Sequence, residues 1–395
     1  MRVLCSADFS HYGHRPGAFD NRLAYVLGLE RLGHEVYLVE DVDQKRCLDA
    51  AYRPVPFQAW EGRRRFELLA KSYGVWPRCC LIYRSGEATH GLSFPEILKI
   101  ARTSELLISI GRALKTQEIL KRVSCRVYID QAPAKVQVYQ AEYQVDYGLS
   151  QYHHVFSVGL NIGQPECDIP TCGLTWYGIQ HPVVLAQWPA HFNDRSRRFT
   201  TISNWSGKHT FNFKGRFSGD KADQWHRFIE LPLRTTQALE VALNIDPAYA
   251  EDIRLFQEHG WILTDAKRLS TVGAYRAYIA ASRAEFSVAN NRYVDFNTGW
   301  FSDRSARYLA SGKPVLVQST GIERHLPVGK GLLTFTTMEE AAAGIEAING
   351  DYLAHCRSAR AIAEEYFDSD KVLTKMLAQM GFGEAAVGRS ATVAV

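Results

Sequence analysis

At 395 residues the chain exceeds the size at which one hydrophobic core keeps growing, so two domains are expected. With 46% hydrophobic and 22% charged residues it reads as globular throughout, which excludes a disordered or fibrous chain. The formal charge of +4, with basic clusters at 63–65 and at Arg195, Arg197 and Arg198, is too small for a dedicated nucleic-acid binder, so a nucleic-acid partner is disfavoured.

The first residues lack the long apolar region of a secretory signal, and no run reaches the ~20 apolar residues of a spanning helix, so a cytoplasmic protein is expected. Eight scattered cysteines need no disulfide framework in a reducing compartment. Cys167 and Cys172, with His153, His154 and His181 nearby in sequence, match no common zinc spacing, and no metal is expected.

In chain order, residues 2–7 read as a buried strand and 21–32 as a helix, with Leu23, Ala24, Val26 and Leu27 at helical spacing and Gly33 as its stop. A strand at 35–39 completes a strand-helix-strand unit, which demands parallel pairing and a right-handed crossover. Further strands at 105–110 and 126–129, separated by a helical 115–121, point to a doubly wound sheet with its ligand crevice at the carboxyl ends of the strands. The stretch 181–198 breaks the pattern and reads as a linker. The second half repeats the logic: a strand from Phe199, helices at 233–243 and 249–259, a strand at 261–264, a helix at 274–282 and a strand at 285–288. After a long loop come a helix at 302–310, a strand at 314–318 and a final helix near 370–380, followed by a small-residue tail at 381–395 that reads as mobile. The expected domains are therefore 1–190, 199–368, and a C-terminal helix and tail at 369–395. Two Rossmann-like doubly wound α/β domains are the expected fold.

The most informative segment runs from Tyr293 to Gly321. Gly299 permits a tight turn, Ser302 is a good N-cap, and the free amides of the following helix, with Arg304 and Arg307, suit an anion such as a diphosphate. Asp303 opposes this by already satisfying the helix dipole, and Ser305 completes the turn. The candidate anion-binding set is Gly299, Ser302, Asp303, Arg304, Ser305 and Arg307.

The stretch LASGKPVLVQSTGIERHLPVGKGLLTFTTMEEAAAGI resembles the C-terminal domain of group 1 glycosyltransferases, especially the CgeB-like branch, and VYIDQAPAKVQVY and YIAASRAEFSVANNRYV resemble bacterial glycosyltransferases as well. The resemblance implies the glycosyltransferase B fold, with the domains facing across a cleft, and transfer of a sugar from a nucleotide-sugar co-substrate without another cofactor. It also implies a cationic donor contact early in the second domain, for which Lys214 and Lys221 are preferred among Lys208, Lys214, Arg216 and Lys221, and a final helix crossing back toward the first domain. One departure is plain. The family's pair of glutamates, eight positions apart, falls on Gly299 and Arg307.

On the acceptor side, the loop after the first strand carries His14 and Asp20, and Asp130 ends a later strand; each could take a proton from an acceptor hydroxyl. Asp41-Val42-Asp43 has a metal-binding D-x-D form, but two acids at a strand end read as turn residues, so metal-independent transfer is expected. Two same-fold alternatives are a nucleotide-sugar epimerase and a non-catalytic nucleotide-sugar-binding protein. A nicotinamide enzyme is disfavoured because Gly13 and Gly17 do not form G-x-G-x-x-G.

Overall fold

A computed structural model describes residues 1–12, 15–49, 51–205 and 210–383. His14, Lys208 and most of the tail predicted as mobile lie outside them. The chain divides into two compact units: 1–131, 146–156 and 369–395 form the first, and 132–145 with 157–368 the second. The division differs from a single boundary near 190. Segments 132–145 and 157–190, assigned from sequence to the first domain, join the second unit, because apolar residues such as Val183 and Trp188 pack into that unit's core.

In the first unit the strands run in the order Ala88–Gly91, Cys79–Tyr83, Glu35–Val42, Arg2–Ser6, Leu106–Ile110 and Cys125–Asp130, followed by His154–Ser157. Each neighbouring pair from Cys79–Tyr83 across to Cys125–Asp130 is parallel, and Ala88–Gly91 joins Cys79–Tyr83 antiparallel at the edge. Leu4, Val39, Cys80, Ile82, Leu107 and Ile97 form one layer of core beneath the sheet. The helix predicted at 21–32 starts earlier, spanning Pro16–Arg31, because Pro16 has no amide proton to lose at a first turn.

The final helix, Ser369–Gln379, belongs to the first unit and packs on Pro16–Arg31. Gly28 makes the close approach possible: a β-carbon there would lie 2.5 Å from Leu373 Cδ1 and 3.0 Å from Ser369 Cβ. Arg31 locks the pair with two parallel bonds to Asp370, Nε to Oδ1 at 3.0 Å and Nη2 to Oδ2 at 2.8 Å.

The second unit holds a six-stranded, wholly parallel sheet in the order Ile262–Asp265, Ala238–Asn244, Arg198–Asn204, Ala284–Ser287, Val315–Gln318, Leu332–Phe335. The chain builds outward from Arg198–Asn204 in one direction for three strands and then in the other for three. The switch point is between Arg198–Asn204 and Ala284–Ser287, where doubly wound sheets open a ligand crevice at the carboxyl ends. Two apolar layers cover the sheet, one around Trp225, Phe256, Trp261 and Phe286, the other around Tyr308, Leu309, Val315 and Ile362.

The helix expected at 233–243 is instead a short 3-10 turn, Leu231–Arg234, and the strand Ala238–Asn244. Its run Ala238-Leu239-Glu240-Val241-Ala242-Leu243 is buried on both faces, and such a run has no period by which to tell strand from helix.

Gly28→Val is expected to destabilise the first unit by about 1–3 kcal/mol, through overpacking against Leu373 and Ser369. Denaturant unfolding followed by fluorescence checks it, and an unchanged midpoint would contradict the packing of the last helix.

Candidate functional site

Successive side chains of a strand point to opposite faces, so within Ala284–Ser287 the apolar Ala284 and Phe286 face one core while Glu285 and Ser287 face the other side. Glu285 is 0% exposed, and a carboxylate so buried needs a partner. Arg304 supplies it. The second residue of the helix Asp303–Ala310, it donates from Nε to Glu285 Oε1 at 2.5 Å, from Nη1 to the Ile202 carbonyl at 2.7 Å and from Nη2 to Ser287 Oγ at 2.6 Å. One guanidinium therefore ties together the ends of the two strands that flank the switch point. Burial works against its charge, but the Glu285 carboxylate outweighs this and raises its pKa.

Lys221 opens the helix Lys221–Arg227 and shares this environment. The residue is only part-exposed, and burial, then repulsion by Arg304, pushes its ammonium down to about 7 while Glu285 pulls the other way. Among the described residues it is thus the cation of the cluster able to change charge near neutral pH. Asp220 caps its helix by accepting the Lys221 amide at 2.7 Å.

Ser302 is the N-cap of Asp303–Ala310, accepting the Arg304 amide at 3.2 Å. Ser305 is fully buried, and its hydroxyl has no hydrogen-bond partner. Both line a small cavity of about 10 Å³ with Trp300, Ser287 and Gln318, room for one water. Gly299 has φ 68°, and a β-carbon there would meet the Asn161 amide nitrogen at 2.9 Å, so the turn predicted from glycine is built around Asn161. Asn161 donates from Nδ2 to the carbonyls of Asn297 at 2.8 Å and Gly321 at 3.4 Å. Its Oδ1 is then the acceptor for His325 Nε2 at 2.7 Å, which fixes the proton on that imidazole nitrogen.

Arg307 is placed differently from the sequence expectation. It is 0% exposed, donates from Nη1 to the Asp303 carbonyl at 2.6 Å and lies 6.0 Å from the Trp188 ring centroid, so it belongs to the interior of the unit and not to the anion-facing turn. Asp303 lies 3.8 Å from it. Lys214 is also apart: it sits at the tip of the hairpin Phe211–Phe213 and Arg216–Ser218 and pairs with Asp168 at 2.9 Å on the surface.

In the first unit, Asp20 and Asp130 are both buried. Their chain neighbours meet, Asn21 Nδ2 donating to Gln131 Oε1 at 2.7 Å, which places the two carboxylates in adjoining segments at the carboxyl end of Cys125–Asp130. Of the D-x-D motif, Asp41 accepts the Thr116 amide at 2.8 Å and hydroxyl at 2.7 Å, and Asp43 accepts the Lys45 amide at 3.0 Å. Asp43 caps its own turn, and Asp41 holds the turn at Thr116 from the neighbouring strand end. Among the described residues no group of three or more His, Cys, Asp or Glu side chains could hold a metal.

Two residues escaped the sequence reading. Glu285 stands inside an apolar run, Ala284-Glu285-Phe286, and a charge in such a run is itself the signal of a buried pair. Glu40 is the other: fully buried, it accepts the Ser10 amide at 2.8 Å and also the Ser10 hydroxyl. Burial, then the nearby Asp8, pushes its carboxyl up to about 8 against the Ser10 bonds and Arg46.

No family model matches the chain, and no curated protein matches its sequence. Solved structures do. A structure of Anabaena HepE in complex with UDP-glucose superimposes with TM-score 0.59 at 13% identity over 96% of this chain and 99% of that one. An alpha-glucosyltransferase in complex with UDP and a 13-mer DNA gives 0.57 at 13%, over 96% and 99%. Sucrose-phosphate synthase from Thermosynechococcus elongatus gives 0.51 at 12%, over 96% and 98%. The chain has the glycosyltransferase B fold. Its second unit, with the strand order and switch point above, is one of the fold's two Rossmann-like units.

Arg304→Met is expected to cost the second unit about 3–5 kcal/mol, because it strands a buried carboxylate, whereas Arg304→Met with Glu285→Leu should recover most of that loss. Chemical unfolding of the full chain distinguishes the two. A second expectation concerns Glu40. Between its ordinary value of 4.5 and about 8 the folded protein keeps a proton that the unfolded chain has released, so this group's stabilising contribution is complete below about 4.5 and lost as pH rises to about 8. Glu40→Gln should flatten the fall in stability across that window; parallel curves for parent and variant would refute the shift.

Proposed function

We propose that the chain transfers a glycosyl group from a nucleoside diphosphate sugar to an acceptor hydroxyl, the diphosphate lying at the carboxyl edge of the second unit's sheet. The observation that carries the reading is Arg304, locked by Glu285 at the switch point beside Lys221 and the amino terminus of Asp303–Ala310. Arg304 commits three N–H groups to the protein and keeps two, Lys221 can take up a proton, and the helix amides point the same way. Solved structures of this fold hold UDP or UDP-glucose, which supports a uridine donor.

In the transfer, the acceptor oxygen bonds to the anomeric carbon as that carbon's bond to the diphosphate breaks. Negative charge grows on the leaving oxygen. Fixed cations and helix amides are suited to hold it without reorganisation. The acceptor proton passes to a first-unit base, for which His14, Asp20 and Asp130 are the candidates. Glu40, with its carboxyl raised to about 8 and engaged by Ser10, is proton-loaded at neutral pH and is not among them. Metal-independent chemistry is part of the proposal, because Asp41 and Asp43 are occupied as caps. So are the CgeB-like affinity and a cytoplasmic setting, the latter supported by eight free thiols.

UDP-glucose is the probe of choice, since its diphosphate diester does not titrate near pH 7. Calorimetry in buffers of different ionisation enthalpy is expected to show proton uptake on binding at pH 8, with affinity falling between pH 7 and 9 as Lys221 loses its charge. Lys221→Met should weaken binding roughly tenfold and abolish the pH dependence. Absence of binding, or binding indifferent to pH and to Lys221→Met, would defeat the assignment. Loss of transfer on chelation, with recovery on adding magnesium or manganese, would defeat metal independence.

A further inference from the structure

Ahead of Ser302, the N-cap of the helix Asp303–Ala310, stand Gly299, Trp300 and Phe301, and their side chains have different fates. Gly299 has none to offer. Phe301 is 3% exposed and packs on Phe367, with ring centroids 5.3 Å apart. Trp300 stays part-exposed. One face of its indole is covered by Tyr293, stacked at 4.2 Å with 22° between the ring planes, so the exposed part of the ring is the opposite face and the edge. Tyr293 is itself buried and is backed by Arg292, whose Cζ lies 4.8 Å from the centroid of the phenol ring and whose Nη2 donates to the Tyr293 hydroxyl at 3.0 Å.

The Trp300 backbone is fixed from two sides. It pairs with Gly159 in an antiparallel bridge, and Thr320 Oγ1 donates to its carbonyl at 2.6 Å. The indole N–H, by contrast, is bonded to no described residue. A tryptophan that serves only packing buries its ring and gives its N–H a partner; this one is held rigidly with part of an apolar plane and a donor at its rim left over, which is the form of a binding platform.

The platform stands beside the phosphate end of the proposed donor site. Trp300, Ser302 and Ser287 line the same small cavity, and Ser287 Oγ accepts from Arg304 Nη2 at 2.6 Å. The cavity has room for a water and not for a sugar, so a glycosyl group lies outside it. In a nucleoside diphosphate sugar a single oxygen separates the anomeric carbon from the second phosphorus, so a diphosphate at the start of Asp303–Ala310 brings the sugar within reach of the residues just before the N-cap. A pyranose offers a face of C–H groups and a rim of hydroxyls, which match the indole plane and its N–H. We propose that Trp300 selects the glycosyl group of the donor, stacking on the C–H face of a neutral hexopyranose and donating from Nε1 to one of its hydroxyls. The assignment rests on the donor reading above and adds to it a contact to the sugar itself.

The test is calorimetric titration of the full chain with UDP-glucose and, in parallel, with UDP, which has the phosphates without the sugar. Trp300→Ala is expected to weaken UDP-glucose roughly tenfold and to change UDP by less than about twofold. Trp300→Phe keeps a ring against Tyr293 and deletes only the N–H, so its loss for UDP-glucose should be about threefold. Tryptophan fluorescence gives a second readout that does not depend on how well the alanine variant folds: the parent should respond more to UDP-glucose than to UDP, and that difference should vanish in Trp300→Phe. Equal losses for the two ligands, UDP-glucose affinity unchanged in Trp300→Ala, or a fluorescence difference that survives in Trp300→Phe would overturn the role of Trp300. A parent that binds neither ligand would instead defeat the donor reading, and this one with it.

Discussion

The buried pair between Glu285 and Arg304 sets the geometry of the second unit's carboxyl edge. A carboxylate on the inward face of a central strand tolerates only a partner that reaches it through the crevice, and the helix Asp303–Ala310 is rotated so that its second residue does so. The helix then presents Ala306, Tyr308, Leu309 and Ala310 to the core, and Tyr308 meets the Thr200 hydroxyl at 2.6 Å. Polar specification and apolar packing agree on one phase of the helix. Replacing the pair by apolar residues could preserve stability, but it would remove a cation fixed at the switch point.

The loop between Ala284–Ser287 and this helix is long, yet it is tied down at each end. Trp300 stacks on Tyr293 at 4.2 Å, Thr320 donates to the Trp300 carbonyl at 2.6 Å, and the Gly299 amide meets the Thr320 carbonyl. Asn161, from a segment outside the sheet, closes the arrangement by holding Asn297 and Gly321 together. Gly321, at φ 82°, is obligatory there, since a β-carbon would fall 2.1 Å from Asn297 Oδ1. On the far side of the crevice, Gln318 receives the Ala289 amide and donates to Gln224 at 2.6 Å. An edge made of loops is thereby held with the precision of regular structure.

Much of this was legible in the sequence. Alternating strand and helix signals disclosed two parallel α/β units, and Ser302 with Gly299 marked the turn and the helix start. Strands buried on both faces, such as Ala238–Asn244, were not legible, because a run with apolar residues at both parities carries no period. The unit boundary escaped as well: 157–190 has little regular structure, and its allegiance is set by long-range contacts such as those of Val183 and Asn161, which no local pattern reports. Arg304 and Arg307 looked equivalent in one dimension. The structure separates them by depth, since a residue one turn further along a helix that dives beneath the edge is interior.

That separation bears on the missing glutamate pair. In the resembling family the position of Arg307 carries a carboxylate, and here it carries a cation turned inward to Asp303 and Trp188. Arg304 is balanced by Glu285, and the Arg307 guanidinium lies 3.8 Å from the Asp303 carboxylate, so the fixed charges of the helix and strand nearly cancel. Lys221 decides the sign of what remains. With its ammonium held near 7, Lys221 is the titratable cation among the described residues of this edge, and the diphosphate of the proposed donor would draw a proton onto it. An edge that stays charged when empty would have to bury that charge permanently. One whose last cation is titratable defers the desolvation cost until an anion is present to offset it, and this favours charged leaving groups over neutral sugars at the same position.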